Sequence, residues 1–152
     1  MKELNNIVTA GSDKTPDINF NYLNGELRFS GWSIPENANK VYEPLLNWVI
    51  EYIKSPQKTT NLHLNLEYYN SASTIWFAKI VRTLSKITKK DSVLIIHIYV
   101  EYKDFDSLEM DDLSDIVGAL VGKIENAKIS IGIKVCGLDR QGKIVKDAMI
   151  FI

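Results

Sequence analysis

Hydroxyl groups crowd one short stretch of the chain, Tyr68-Tyr69-Asn70-Ser71-Ala72-Ser73-Thr74, where a strand pattern gives way to a helix pattern. The first backbone N–H groups of a helix have no internal acceptors and carry partial positive charge, so a phosphate on Ser71 could be held there. Phosphorylation adds about −1.5 to −2 charges at neutral pH, which changes what that edge can dock without unfolding the helix. The same residues also have a plainer reading. Asn70 or Ser71 can cap the helix, the commonest role of such side chains at a helix start.

Other reactive side chains are sparse. His63, Asn65 and Glu67 share the polar face of one strand and His97 lies on another, but two histidines on separate strands lack the close spacing of metal-binding motifs and read as sheet-face residues. Cys136 follows an apolar strand, where a free thiol behaves as a small buried hydrophobe. No glycine-rich loop leads into a lysine to cradle phosphates. The acidic run Asp104, Asp106, Glu109, Asp111 and Asp112 lacks the glycine and closing glutamate of a calcium loop and reads as a solvated helix start. These absences predict no catalytic residue, no metal and no cofactor: a binding protein, not an enzyme. The competing reading is a small-ligand site on the His63–Asn65–Glu67 face, which requires an enclosed pocket.

The elements that position these residues follow from periodicity. Ile18, Phe20 and Tyr22 alternate with polar residues, Asn24-Gly25 supplies a tight turn, and Leu27 and Phe29 resume the alternation, which predicts a hairpin over about 17–30. Leu45, Trp48, Val49, Tyr52 and Ile53 recur at helical spacing over about 41–54, with Pro44 tolerated in the first turn and Trp48 and Tyr52 expected in the core. Leu62, Leu64, Leu66 and Tyr68 are expected on one strand face. Ile75, Phe77, Ile80, Val81, Leu84 and Ile87 form the apolar stripe of a second helix. Residues 93–102 read as a central strand, Leu113, Ile116, Val117, Leu120 and Ile124 as a third helix, and Ile129–Val135 and Ile144 onward as a closing hairpin. The resulting order is ββαβαβαββ: a single α/β domain over 15–152 with a mixed sheet and about three helices, preceded by a loosely held segment 1–14.

Composition narrows the partners. The 18 basic and 19 acidic residues leave a net charge of −1, which argues against nucleic acid or an anionic membrane. A lone cysteine rules out an intramolecular disulfide and suits a reducing compartment. With no signal-like start and no apolar run near the ~20 residues that cross a bilayer, the expected location is the cytoplasm.

Several ordered motifs carry a family resemblance. Thr15-Pro16 precedes the first predicted strand, Gly31 is followed by Pro35-Glu36-Asn37, Tyr42-Glu43-Pro44 and Asn47-Trp48 lie in the first helix, and Tyr69-Asn70-Ser71-Ala72-Ser73 opens the second. In that order and placement, over about 15–87, the chain resembles the SiaC family of regulatory phosphoproteins, while the hairpin over about 129–152 diverges from it. The resemblance implies a STAS-like fold, as in anti-sigma-factor antagonists, and assigns Ser71 as the phosphoacceptor of a dedicated protein kinase, cleared by a PP2C-type phosphatase. It implies that the unphosphorylated form binds and stimulates a diguanylate cyclase, raising cyclic-di-GMP and favouring biofilm growth, with Tyr69, Asn70, Ser73, Pro35, Glu36 and Asn37 as partner-binding candidates. An anti-sigma-antagonist-like partner switch is the related alternative. The divergent hairpin is a candidate for homodimerisation or for a different partner. Pro35-Glu36-Asn37 reads equally as a docking loop and as a helix-entry turn.

Overall fold

The computed structural model describes residues 4–102, 117–118, 124 and 126–151. Among them the order is β1 (Ile7–Thr9), β2 (Asp17–Asn21), β3 (Glu26–Ser33), α1 (Ala38–Tyr52), β4 (Thr59–Tyr69), α2 (Ser71–Leu84), β5 (Val93–Glu101), β6 (Ser130–Leu138) and β7 (Ile144–Phe151). The strands form one seven-stranded sheet in sequence order. β3 to β6 run parallel, while β1–β2, β2–β3 and β6–β7 pair antiparallel. The chain is thus a mixed α/β domain. The third expected helix, with most of its stripe and the acidic run, lies outside the described residues.

One sheet face carries both helices. Leu27 and Phe29, Leu62 and Leu64, Leu94, Ile96 and Ile98, and Ile131 and Ile133 share a single buried cluster with Tyr42, Leu45, Trp48, Val49 and Tyr52 of α1 and Trp76, Phe77, Ile80, Val81 and Leu84 of α2. The two crossovers β3-α1-β4 and β4-α2-β5 each step one strand in the same direction, and crossovers of one hand then stack their helices on one side. Phe29 sits at the centre, edge-on to Phe20 at 5.2 Å and to Phe77 at 5.3 Å.

The β2–β3 turn shows why Gly25 is there. Its φ is +73° and a Cβ would meet the Thr59 carbonyl oxygen at 2.5 Å, so any side chain meets both strain and a backbone clash. That approach serves the sheet, because the Asn61 N–H donates to the Gly25 carbonyl at 2.9 Å.

Four expectations are corrected. β1 precedes the expected first strand: Ile7–Thr9, inside the segment expected to be loose, pairs with β2, and the Trp48 indole N–H donates to the Asn5 carbonyl at 2.6 Å. A three-residue strand is too short for alternation to betray it. α1 starts at Ala38 rather than near 41, because the Asn37 side chain accepts from the Lys40 N–H and caps it. Tyr68 leaves the Leu62–Leu64 face: the β3–β4 register skips Glu67 between Gly31 and Trp32, so Tyr68 pairs with Trp32 on the opposite side. Ile75 falls off the buried stripe of α2, with Trp76 taking the inward position.

Candidate functional site

Helix α2 starts where β4 ends, and the division of labour between Asn70 and Ser71 is explicit. Asn70 is extended and its Oδ1 accepts from the Ser73 N–H at 2.9 Å, so Asn70 is the cap. Ser71 is the first helical residue and exposed, and among the described residues its hydroxyl has no hydrogen-bond partner. Capping thus falls on Asn70 and leaves the Ser71 hydroxyl free of that role.

Beneath Ser71 runs a buried chain of hydroxyls. Tyr42 Oη meets Ser33 Oγ; Ser33 Oγ lies 2.7 Å from Ser73 Oγ; Ser73 Oγ lies 2.7 Å from Asn70 Oδ1 and 2.9 Å from the Ser33 carbonyl. Each hydroxyl has one proton, so the consistent direction is Tyr42 to Ser33 to Ser73 to Asn70. Burial pushes the Tyr42 phenol up to about 12, which keeps that proton in place. The Asn70 N–H also donates to the Ser33 carbonyl at 3.0 Å. Ser73, expected among the partner contacts, is instead wholly buried. It positions Asn70 from within.

The sequence does not join Ser33 and Tyr42 to the α2 start, although Tyr42 belongs to one of the motifs; each residue nonetheless carries a signal. Ser33 is a polar residue at an inward position of a strand whose other inward residues include Leu27 and Phe29, and Tyr42 lies three residues before Leu45 on the apolar stripe of α1. A phenol placed inward needs a partner.

The loop after Ser33 carries the next three expected residues. Pro35 is buried, while Glu36 and Asn37 are exposed. With Thr15, Pro16 and Pro44 they line an open, apolar cleft of about 510 Å³ between α1 and the β1–β2 side of the sheet. Glu36 is bridged to Lys14 at 2.7 Å, and the Ile34 N–H donates to the Lys14 carbonyl at 2.8 Å, so the loop is tied to the segment before β2. Asn37 caps α1, which makes the helix-entry role real while leaving Glu36 facing solvent. Thr15-Pro16, Pro35-Glu36-Asn37 and Pro44 therefore meet in one cleft.

Two large apolar side chains close to Ser71 in sequence are exposed. Ile75, one helical turn after Ser71, is 58% exposed, and Tyr68, three residues before Ser71 in β4, is 56% exposed. The extra residue at Glu67 lays Tyr68 against Trp32 at 5.6 Å, and Glu67 Oε2 accepts from the Trp32 indole N–H at 2.8 Å. Tyr69 turns back toward the core and is half-buried. Trp32 and Tyr68 thus form an exposed aromatic pair at the ends of β3 and β4.

The polar sheet face is closed on itself. His63 Nε2 is 2.7 Å from Glu26 Oε2 and Nδ1 is 2.8 Å from Tyr99 Oη, and its ring stacks on His97 at 4.2 Å. Burial holds His63 below its ordinary pKa, so the neutral ring donates from Nε2 to Glu26 and accepts the Tyr99 proton at Nδ1. His97 bonds the Asn61 side chain at 2.9 Å, and burial with the neighbouring His63 lowers it to about 4. Among the described residues no group of three or more metal-ligating side chains converges, and both His63 nitrogens are occupied.

The His97 shift has a pH consequence. Between about 6.5 and about 4 the unfolded chain binds a proton at His97 that the folded chain does not, so stability falls as pH falls through that window. The ring is half-exposed, so the expected loss between about pH 7.5 and about pH 5 is only about 1 kcal/mol, or about 2–4 °C in Tm. Thermal melts of the parent and His97→Gln check it: the variant should lose that increment of pH dependence, and parallel curves would refute the assignment.

Comparison with known proteins bears on this site. Residues 9–121 match the family model described as SiaC family regulatory phosphoprotein. An uncharacterised protein of Pseudomonas aeruginosa (strain UCBPP-PA14) is 32% identical over 63 residues, which cover 41% of this chain and 50% of that relative's length. The fold is similar to the crystal structure of apo-SiaC from Pseudomonas aeruginosa, with a TM-score of 0.62 and 22% identity over 73% of this chain and 92% of that one. It is similar also to a chain in the crystal structure of the diguanylate cyclase SiaD in complex with its activator SiaC from the same organism, with a TM-score of 0.64 and 18% identity over 82% of this chain and 97% of that one. At such identities the structural likeness carries the fold alone.

Proposed function

The chain belongs to the SiaC family of regulatory phosphoproteins, and from that footing we propose that it is a phosphorylation-switched signalling adaptor with Ser71 as phosphoacceptor. It acts by binding rather than by catalysis. In the unmodified form it docks an effector, a diguanylate cyclase, and promotes cyclic-di-GMP synthesis. A protein kinase adds phosphate at Ser71 and releases the effector, and a PP2C-type phosphatase reverses the step.

The observation that carries this reading is the exposed Ser71 hydroxyl, relieved of capping by Asn70, with Tyr68 three residues before it and Ile75 four residues after it both exposed. Negative charge at the first turn of a helix is tolerated by the helix itself, so modification alters docking without dismantling the fold. The fold likeness to a chain of the SiaD–SiaC complex supports a cyclase as the effector class. Glu36 and the cleft beside it are proposed as a second contact, tied to Ser71 through Ser33, whose carbonyl and hydroxyl hold the α2 start and whose chain continues into Pro35. The family's STAS-like architecture and cytoplasmic location are part of the same proposal; no helix among the described residues is long and apolar enough to cross a membrane.

Two measurements test it. Phosphopeptide mapping on protein recovered from its own cells in rich and starved growth should find phosphate on Ser71 whose occupancy changes with condition. Product formation by a diguanylate cyclase from the same genome should rise when the unmodified chain is added. An unmodified Ser71 in every condition with full peptide coverage, or a cyclase indifferent to the chain, would overturn the respective half of the proposal.

A further inference from the structure

Two aromatic rings and a carboxylate meet at the ends of β3 and β4 because the ladder is broken there. The pairing runs Ser30 with Asn65 and Gly31 with Leu66, then skips Glu67 and resumes with Trp32 opposite Tyr68. Gly31 takes a φ of +97° at the break, and a Cβ there would meet nothing within 4 Å, so glycine serves the backbone angle and not a close approach. Bulges of this kind re-aim side chains. Here Trp32 is 42% and Tyr68 56% exposed, their ring centroids lie 5.6 Å apart at 32°, and Glu67 Oε2 accepts from the Trp32 indole N–H at 2.8 Å. That bond uses the one donor of the indole, so the cluster still presents ring faces, carboxylate oxygens and a phenol. Among the described residues no cation meets it: Glu67 forms no ion pair, and the cation held over a tryptophan is Lys79, 4.4 Å from the Trp76 ring.

We propose that this cluster seats an arginine side chain presented by a partner protein, its guanidinium laid on the Trp32 ring and donating past the ring edge to Glu67. Charge decides the class of occupant. An aromatic face carries negative potential, and the carboxylate bonded to the indole edge adds to it, so a cation gains on both counts. An acidic or wholly apolar group would leave Glu67 without a counter-charge. Shape decides between the cations. The indole N–H lies in the ring plane, which sets the Glu67 carboxylate beside the ring rather than over it. A planar guanidinium stacks on the ring and still directs N–H groups outward to the carboxylate, whereas an ammonium is a point charge that serves one or the other. A quaternary ammonium has no N–H to give Glu67 at all.

The inference does not rest on the Ser71 reading, and its test needs neither kinase nor cyclase. The probe is a glycine pentapeptide, blocked at both ends, with a single central arginine, titrated into the isotope-labelled full chain and followed by NMR. The chain has three tryptophans and so three indole N–H signals. Trp48 and Trp76 are buried, and their signals report that the fold is intact. The Trp32 signal, assigned by its loss in Trp32→Phe, should shift and saturate with a dissociation constant on the order of ten millimolar while the other two stay in place. The same peptide with citrulline keeps the shape without the charge and should bind at least about tenfold more weakly. The lysine peptide should bind at least about threefold more weakly. Glu67→Gln, with the Trp48 and Trp76 signals unmoved, should weaken the arginine peptide at least about threefold. A Trp32 signal indifferent to the arginine peptide, equal binding of the citrulline or the lysine peptide, or undiminished binding by Glu67→Gln would each overturn the proposal.

Discussion

Phosphate on Ser71 is expected to weaken the effector complex by about 100-fold, which is about 2.7 kcal/mol. The unmodified surface offers the exposed Tyr68 and Ile75 beside a small hydroxyl. Burying a dianion against a partner costs several kcal/mol of hydration unless cations meet it. The α2 terminus returns only about 0.3–1 kcal/mol of that, and it does so in the free and bound states alike. Ser71→Asp, with one charge and fewer oxygens, should lower affinity about five- to tenfold. Ser71→Ala should change affinity less than about threefold and leave stability within about 0.5 kcal/mol, because its side chain is exposed and its hydroxyl has no partner among the described residues. Asn70→Ala is the contrasting variant: it removes the cap, costs about 1 kcal/mol and lowers Tm without mimicking the phosphate. Titration calorimetry against the cyclase, with Ser71 phosphorylated to completion, decides the matter. Equal affinity of the two forms would leave Ser71 without a switching role, whatever its modification state in cells.

The same two residues mark how far the sequence could be read. A hydroxyl-rich strand-to-helix step offers both a cap and an exposed hydroxyl, and only geometry shows Asn70 to be the cap and Ser71 to be exposed. Which serine of the run faces out is a question of helix phase: Ser71 and Ile75 fall on the solvent side, Ser73, Trp76 and Phe77 on the core side. A helix boundary uncertain by one residue turns that phase by about 100°. Ser73, a partner-binding candidate by resemblance, falls on the buried side of that phase.

Strand faces were legible where the alternation was uninterrupted. Ile18 and Phe20, Leu27 and Phe29, Leu62 and Leu64, and Ile131 and Ile133 all point as their spacing predicts. The bulge at Glu67 was not legible, because one extra residue depends on the partner strand, here where Gly31 takes a φ of +97°. Its effect is to move Tyr68 off the core face to stand beside Trp32. Convergence of Thr15-Pro16 and Pro35-Glu36-Asn37 on one cleft was equally hidden. The contacts that bring them together span about twenty residues of chain and depend on the sheet order.

Truncating Tyr42 is expected to have the largest effect on stability, and to separate packing from the hydroxyl chain. Its ring is fully buried, stacked on Trp76 at 6.2 Å and edge-on to Phe77 at 5.5 Å, where α1 and α2 meet over Phe29. Tyr42→Ala should cost about 3–5 kcal/mol and lower Tm by on the order of 10 °C. Tyr42→Phe keeps the packing and removes one donor, leaving Ser33 able to donate to Ser73, so about 1 kcal/mol is expected. Ser73→Ala cuts the chain in the middle and frees the Asn70 side chain from one of its two bonds, at a cost of about 1–2 kcal/mol. If the hydroxyls act as one unit, the two conservative changes remove overlapping interactions. The double variant should then cost less than the sum of the singles by about 0.5 kcal/mol or more. A plain sum in denaturant melts would mean that Tyr42 and Asn70 are not coupled through Ser33 and Ser73, and the start of α2 would then be held by its cap alone.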